Sequence, residues 1–385
     1  MRSQLRALQR SVLALLTIGL AACGQNLVGP AGEACGGDPH FTAMPVALGD
    51  IEAIAVVGGL GAPGHTLPTA HTGFILRTEG AEVRSPGAIQ ITKLRRTRYI
   101  TSPNRQGHED YTAEFQVCKD ISGWFGHLSS LSTAIPVPDG GWKECERYST
   151  ALESIETCTA RLDGVSLAAG QPMGTSGFSL ALGLMGLDFG LLDARVTNAY
   201  VARWRYPEPV LHSVCPWERF ETSIKTQLYT KLRDMSGVPR PSTGEPRCGT
   251  MVVDVAGTAK GIWALPSITE PVQGNETGYI TLANYPYQPE AELALSLGPE
   301  ILGATVLVVP RATEGRVNRP FEQVTADGLI YCYAPAPGAG GFINILLMMT
   351  GPSEIMIRKV PQTAPNICSA DPSTWSMAGA TRMVR

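Results

Sequence analysis

The sequence lacks several features that would point to a common class of protein. Its longest apolar stretch, residues 11–20 (SVLALLTIGL), has ten residues, whereas a transmembrane helix needs about 20. Charged residues make up only 17% of the chain and the formal net charge is −3, so nothing indicates a nucleic-acid partner. None of the nine cysteines forms a C-x-x-C pair, which argues against a zinc ribbon or a thioredoxin-like redox site.

The first 22 residues predict a lipoprotein signal peptide. Three arginines precede the apolar stretch, and small residues lead from it to Cys23. The tetrad L-A-A-C at 20–23 resembles the bacterial lipobox, in which the cysteine is lipidated and becomes the mature N-terminus. The resemblance implies Cys23 as the lipidation site, and Gly24 after it implies the outer membrane. We therefore expect an envelope protein held to a membrane by a lipid anchor; ordinary cleavage that leaves a free thiol at Cys23 is the alternative.

The other eight cysteines predict disulfide bonds, because their number is even and the chain is expected to be exported. They are Cys35, Cys118, Cys145, Cys158, Cys215, Cys248, Cys332 and Cys368. Closeness along the chain favours Cys118 with Cys145 or Cys158, Cys215 with Cys248, and Cys332 with Cys368.

The mature chain is expected to be mainly β. It has 42 glycines and 29 prolines, and residues 88–101 and 111–119 alternate polar and apolar side chains as neighbouring antiparallel strands do. A stripe of apolar residues predicts one helix over 216–235, and a capping-box spacing predicts a short helix over 150–161.

Composition shifts divide the chain after the signal peptide (1–22). We expect a flexible tether at 23–43, an antiparallel β domain at 44–206, and a helix with a proline-rich linker at 207–247. Residues 248–385 carry closely spaced strand candidates and predict a second, sandwich-like β domain, to which the sequence assigns no role.

Three short segments of the first β domain follow one another in an informative order. They read H-T-G-F-I at 71–75, F-G-H-L-S at 125–129, and G-Q-P-M-G-T-S-G at 170–177 followed by G-L-D-F at 186–189. This order resembles the LytM/lysostaphin-like zinc metallopeptidases, which carry H-x-G-x-D, then aromatic-x-H-L-S, then a glycine-rich turn and H-L-H-F. The resemblance spans roughly residues 60 to 195 and implies the antiparallel duplicated-hybrid-motif fold.

The resemblance also implies roles for individual residues. His71 falls on the first zinc-ligand histidine and Asp188 on the last ligand, while Ile75 stands in the place of the ligand aspartate. His127 matches one catalytic histidine, and Gly186 stands in the place of the other. A catalytic zinc needs three protein ligands and an open position for water, and Ile75 cannot bind a metal. We therefore expect a degenerate site that holds no cofactor and has no peptidase activity, with His127 as a remnant.

A rearranged zinc site is the alternative that the sequence leaves open. His65 precedes His71 by six residues, and either His65 or His127 would join His71 and Asp188 as a third ligand. Asp193 is a further oxygen ligand in this interpretation, or else a solvated loop carboxylate.

Two charged segments have less specific interpretations. Residues 93–98 (KLRRTR) are either a binding site for an anionic glycan or the solvated face of an exposed strand. Residues 108–110 (HED) are expected to face water in a polar loop.

Together these patterns predict a non-catalytic cell-envelope lipoprotein whose degenerate LytM-like domain binds peptidoglycan or a cell-wall hydrolase. A metal-dependent cell-wall hydrolase and a structural or adhesion lipoprotein are the alternatives. The arrangement of three side chains discriminates between them: if His71, His127 and Asp188 lie within one metal-coordination sphere, a former active site is indicated.

Overall fold

A computed structural model of the protein describes most of the chain. The described residues are 33–385 apart from 39, 63, 104, 138–140, 150–152, 178–185, 234–238, 240–245, 273–274, 304, 336–342 and 362–365. The predicted signal peptide and Cys23 lie outside the described residues. In the described part of the chain, no helix has the length and apolar character that crossing a membrane requires.

The chain forms two antiparallel sheets and few helices, which confirms the prediction of a mainly β protein, with 44% strand and 10% helix. The first sheet contains β1 (Ile51–Ala55), β2 (Thr72–Leu76), β3 (Glu82–Arg84), β4 (Ile89–Thr101), β5 (Glu109–Cys118), β6 (Ile121–Leu131), β7 (Lys143–Ser149), β8 (Ser154–Leu167), β9 (Pro172–Ser176), β10 (Leu187–Asp193) and β11 (Ser213–Val214). The second contains β12 (Gly261–Ala264), β13 (Tyr279–Asn284), β14 (Glu292–Leu297), β15 (Thr305–Pro310), β16 (Tyr331–Tyr333), β17 (Ile343–Gly351), β18 (Glu354–Pro361) and β19 (Thr381–Val384).

The strand order brings distant segments of the chain side by side. The first sheet runs β1-β2-β10-β6-β5-β4-β8-β7, with β9 beside β6 and β3, and β11 beside β10. The second runs β15-β14-β13-β12-β19-β18-β17-β16. Strands β2, β10, β6 and β5 are consecutive neighbours, so the three segments of the metallopeptidase resemblance lie next to one another.

The helices are shorter than the sequence predicts. They are α1 (Glu208–Leu211), α2 (Thr222–Tyr229) and α3 (Pro299–Leu302). The helix predicted over 216–235 is broken into a 3₁₀ helix at Pro216–Arg219 and α2, and its last two residues lie outside the described part of the chain. Phe220 between the two pieces is extended at ψ 153°, and its ring centroid lies 5.1 Å from that of Phe41. The helix predicted over 150–161 is wrong: residues 154–161 belong to β8, which pairs with β4, so tertiary pairing overrides the capping-box signal. Residues 150–152 lie outside the described part of the chain.

Four disulfides staple the described chain. Cys215–Cys248 and Cys332–Cys368 are confirmed, and Cys145 bonds Cys158 between β7 and β8. The prediction that Cys118 pairs with Cys145 or Cys158 is wrong, because Cys118 bonds Cys35. The N-terminal segment runs along the end of β5, where the backbone N–H of Lys119 donates to the carbonyl of Glu33 at 2.9 Å, and this contact places Cys35 beside Cys118.

The first sheet has one apolar and one polar face, since side chains alternate along each strand. Phe115, Phe125 and Phe189 are fully buried on the apolar face, and their rings stack together with centroid distances of 4.4 to 6.4 Å. Lys93 and Trp124 lie on the polar face, together with Asp188. The candidate site described below is built on this polar face.

The loop that carries His65 and His71 is fastened to the second sheet. The backbone N–H of Leu67 donates to Glu276 Oε2 at 2.8 Å, and Thr281 Oγ1 of β13 donates to the carbonyl of Thr66 at 2.8 Å. Burial raises the pKa of Glu276 to about 7. Residues 248–385 therefore hold in place a loop that belongs to the first sheet.

Candidate functional site

Three neighbouring strands bring His71, His127 and Asp188 together. Asp188 of β10 lies opposite Gly73 of β2 on one side and Gly126 of β6 on the other. His127 directly follows Gly126, and His71 precedes Gly73 by two residues. His127 Nε2 is 3.2 Å from Asp188 Oδ2, and His71 Nδ1 is 3.6 Å from Asp188 Oδ1. The three residues selected by the sequence motifs thus form one cluster.

The orientation of His127 depends on an unusual backbone conformation. Its φ is +63°, in the left-handed region that residues other than glycine seldom occupy. Strict alternation along β6 would place its side chain on the apolar face with Phe125. Irregularities in the pairing of β6 with β5 and with β9 flank the residue, and such bulges re-aim side chains. The imidazole therefore lies on the polar face, beside Asp188.

Two carboxylates hold the ring of His127 between them. Nδ1 donates to Asp110 Oδ2 at 2.7 Å, and Nε2 donates to Asp188 Oδ2. Burial opposes a charge on the ring, but Asp188 and Asp110 outweigh it and raise the pKa of His127 to about 10. Burial likewise opposes the charge on Asp188, yet His71 and His127 lower the pKa of that carboxyl well below its ordinary range. At neutral pH His127 is therefore an imidazolium without a free ring nitrogen.

The hydrogen-bond network continues beyond His127 across the polar face. Asp110 is only 3% exposed in β5, so the expectation that it faces water in a loop is wrong. Its Oδ2 also accepts from Tyr99 Oη at 3.1 Å, and burial together with Asp110 raises the pKa of Tyr99. Arg105 donates to Tyr99 Oη at 3.1 Å and pairs with Glu153 at 2.7 Å. These contacts fix the orientation of the carboxylate that binds His127.

His65 lies beside His71, as the alternative zinc site requires. The two ring centroids are 5.6 Å apart in an edge-to-face arrangement. Burial, with a contribution from His71, lowers the pKa of His65 to about 4, so this ring is neutral at pH 7. Nδ1 of His71 is 3.0 Å from the carbonyl oxygen of Thr72; because a carbonyl only accepts, Nδ1 carries the proton and Nε2 is the ring nitrogen left to coordinate.

Asp193 is separate from this cluster. It is 1% exposed and pairs with Arg195 at 2.8 Å and with Arg219 at 2.9 Å. These contacts, with the Arg195 side chain first, lower its pKa. Both interpretations drawn from the sequence, an oxygen ligand at the cluster and a solvated loop carboxylate, are wrong, because Asp193 is a buried ion-pair partner.

The donor set does not fit the zinc ion that the metallopeptidase resemblance implies. Both nitrogens of His127 are donors to carboxylates, and both oxygens of Asp188 face protonated imidazole nitrogens. Ile75 is 7% exposed within β2 and offers no donor atom. A Cβ at position 186 would lie 2.6 Å from Leu76 Cγ and 2.7 Å from the Phe74 carbonyl oxygen, so this backbone has no room for a histidine there. Within the described residues, no group of three or more His, Cys, Asp or Glu side chains is arranged to hold a metal.

Zinc is therefore expected to leave the protein unchanged. We expect the melting temperature at pH 7 to be the same with a tenfold excess of zinc as with EDTA, because a ligand that binds only the folded state would raise it. Differential scanning calorimetry, with metal content measured by mass spectrometry after gel filtration, checks this. One zinc per chain that disappears in His71→Ala would contradict it.

A cleft lies over the cluster, on the polar face of the first sheet. Its volume is about 610 Å³, and its lining includes side chains of β4 to β8, together with His127, Asp188 and, from the second sheet's side, residues 275–277. A second cavity of about 520 Å³ shares Lys93, Arg95 and Trp124 with it. Pockets of this size take small molecules or short segments of a polymer. Both cationic and anionic side chains line it.

Sequence reasoning missed several residues of this surface, among them Asp110, Tyr99 and Trp124. The alternation of side chains along β5 could have identified Asp110. Asp110, Thr112 and Glu114 are two residues apart, so their side chains lie on one face of the strand.

Comparisons with other proteins add no family to these observations. No protein-family profile matches the sequence, and no curated protein matches it. Function is therefore inferred from the chemistry of the site. That chemistry is a closed ion-pair cluster of two carboxylates and an imidazolium, lying at the floor of a polar cleft.

Proposed function

We propose that the protein is a non-catalytic lipoprotein of the bacterial cell envelope that binds peptidoglycan in the cleft above His127. The observation that carries the proposal is the state of the cluster. His71, His127 and Asp188 meet where the resemblance places an active site. The ring nitrogens of His127 are occupied by Asp110 and Asp188, and the oxygens of Asp188 face His127 and His71.

The chemistry of the cluster supports binding rather than hydrolysis. A general base needs an unprotonated nitrogen within reach of a water molecule, and His127 donates from both ring nitrogens. A metal-activated water needs three ligands, and the donor set does not supply them. The cluster is instead a rigid, charged floor, since each ionised group is held by at least one partner.

The shape and charge of the cleft support a glycopeptide as the ligand. Its volume of about 610 Å³ accommodates a short stretch of a polymer. Lys93 and Arg95 line the cleft from β4, and Glu144 and Glu146 line it from β7. Peptidoglycan presents hydroxyl and amide groups along the glycan, with carboxylates and amines on the stem peptides. The carboxylates are complementary to Lys93 and Arg95, and the amines are complementary to Glu144 and Glu146.

Filling the cleft is expected to abolish this binding. Thr157 of β8 lines the cleft and lies two strands away from Asp110, so Thr157→Trp occupies the space without replacing a neighbour of the cluster. We expect the purified wild-type protein to sediment with cell-wall sacculi and the variant to bind at least tenfold more weakly. Thr305→Trp on β15, away from the cleft, is the matched control and should bind like the wild type.

The same assay separates the competing interpretations. A wild-type protein that stays in the supernatant would contradict the proposal. If it then raised the activity of a cell-wall amidase, the cleft would be assigned to a hydrolase partner. Thermal unfolding of each variant shows that the fold is retained.

A further inference from the structure

Trp124 forms an aromatic platform between the two cavities. Its partner across the strands is Gly190 of β10. A Cβ at position 190 would lie 2.1 to 2.3 Å from three adjacent atoms of the indole ring. Three nearly equal distances mean that the Gly190 backbone lies under the face of the ring and not at its edge. Trp124 lines both cavities, and the half-buried ring therefore has one side supported and the other available to a ligand.

Arg95 is the cation of this surface whose charge is least neutralised. Lys93 pairs with Glu114 at 3.1 Å. Arg105, which also lines the cleft, pairs with Glu153 at 2.7 Å. Arg96 lies on the opposite face of β4, 3.8 Å from Glu109 and stacked over Trp142. Among the contacts of the described residues, Arg95 has a single long hydrogen bond, 3.5 Å to Thr112 Oγ1. A guanidinium beside a cavity with so weak a partner is suited to bind a carboxylate through two parallel hydrogen bonds.

Strand register places the two side chains at a distance that one sugar residue spans. Lys93, Glu114, Trp124 and Gly190 form one row across β4, β5, β6 and β10. Arg95 lies two residues further along β4, on the same face. Two strand spacings and two residue rises separate the backbones of Arg95 and Trp124 by about 12 Å. The long arginine side chain shortens this gap to about the size of a pyranose ring with its substituent.

We propose that Trp124 and Arg95 form a subsite for a carboxylated sugar, with the pyranose ring stacked on the indole and its carboxylate paired with the guanidinium. This deepens the proposed function and rests on it for the physiological ligand. Amphipathic sugar rings and aromatic faces fit one another because each has an apolar surface with a polar rim. The subsite resolves the two interpretations of residues 93–98: Arg95 binds an anionic glycan, while Arg96 and Arg98 are paired with Glu109.

Two sources supply such a sugar. One is a uronic-acid polysaccharide. The other is peptidoglycan whose stem peptides have been removed, because the lactyl carboxylate of muramic acid is free only where no peptide is attached. Tetragalacturonate represents the first source, and amidase-treated glycan strands represent the second. Methyl-esterified tetragalacturonate, which keeps the rings and loses the charge, is the neutral control ligand.

Calorimetric titration of the full-length protein tests the subsite. We expect at least one of the two carboxylated glycans to bind, and Arg95→Gln to weaken that binding about tenfold without weakening the neutral ester. Arg96→Gln, one residue along β4 and paired elsewhere, is the matched control and should bind like the wild type. Trp124→Ala should weaken charged and neutral ligands alike, with its melting temperature showing that the fold is intact.

The outcomes distinguish the subsite from the proposed function. Equal binding by wild type and Arg95→Gln, or no binding of either carboxylated glycan, would overturn the subsite, even where sacculi still sediment with the protein. Binding of tetragalacturonate without sedimentation on sacculi would keep the subsite and overturn the peptidoglycan proposal. Preference for the amidase-treated strands over tetragalacturonate would support both.

Discussion

Asparagine in place of Asp188 is expected to lower the free energy of unfolding by about 3 kcal/mol, because removing one partner of a buried ion pair leaves the other charge uncompensated. The imidazolium of His127 keeps Asp110 but loses the negative charge beside Nε2, and His71 loses the carboxylate near Nδ1. The amide oxygen replaces one acceptor without its charge. Urea denaturation of the wild type and Asp188→Asn at pH 7, followed by tryptophan fluorescence, measures the difference.

Two further variants make this result specific to the cluster. Asp163→Asn, on the exposed part of β8, should change the stability by less than about 0.5 kcal/mol, as ordinary surface substitutions do. The double variant His127→Gln with Asp188→Asn should lose less than the sum of the single losses, because the two residues are direct partners. Strict additivity would mean that the pair contributes no interaction energy.

The stability of the protein is expected to fall as the pH rises from about 6.5 to about 10. The pKa of His127 is raised to about 10 in the folded protein, against about 6.5 in the unfolded chain. Below pH 6.5 both states hold the proton, and the stabilisation from this group is complete. Above that pH the unfolded chain loses its proton first, and the stabilisation declines until the folded protein also deprotonates. The total loss is on the order of 4 kcal/mol.

Urea denaturation at intervals of one pH unit from 5 to 10 gives the profile. In His127→Gln the decline between pH 6.5 and 10 should be largely removed, since the glutamine does not titrate. Asp188 acts at the other end: its pKa is lowered on folding, so its stabilisation is lost as the pH falls below about 4. A wild-type profile as flat as that of His127→Gln would show that the imidazolium is not held by its two carboxylates.

The sequence predicted which residues form the cluster, but it did not predict how their polar atoms are paired. The mainly β class followed from alternation and from the glycine and proline content. The order of the motifs selected His71, His127 and Asp188, which the strand order β2-β10-β6 then places side by side. The order of the motifs did not reveal the hydrogen-bond partner of each polar atom, because that partner depends on tertiary structure.

His127 shows the physical reason for that limit. Alternation along β6 assigns its side chain to the apolar face, and only the left-handed backbone at φ +63° turns the ring towards Asp110 and Asp188. A bulge arises from the pairing of two strands, so one strand's sequence does not reveal it. Asp110 was missed for a related reason, since the neighbouring polar residues His108 and Glu109 made a loop the natural interpretation.

The predicted disulfide partners of Cys118 and the predicted helix over 150–161 were also wrong because tertiary contacts decide both. Closeness along the chain favoured local partners for Cys118, but a backbone contact between residues 33 and 119 brought the distant Cys35 within bonding range. Likewise, the capping-box spacing of Thr150 and Glu153 is a local signal, and the pairing of β8 with β4 outweighed it.

The attachment of the 64–71 loop to Glu276 and Thr281 has a consequence for the whole chain. The first sheet taken alone would keep Asp110, His127 and Asp188 but would lose the anchorage of His65 and His71. The C-terminal half thus supplies one edge of the cleft, through residues 275–277, and the cleft is formed by both sheets. Replacing either half with a foreign one would change the shape of the cleft, even if every residue around His127 stayed the same.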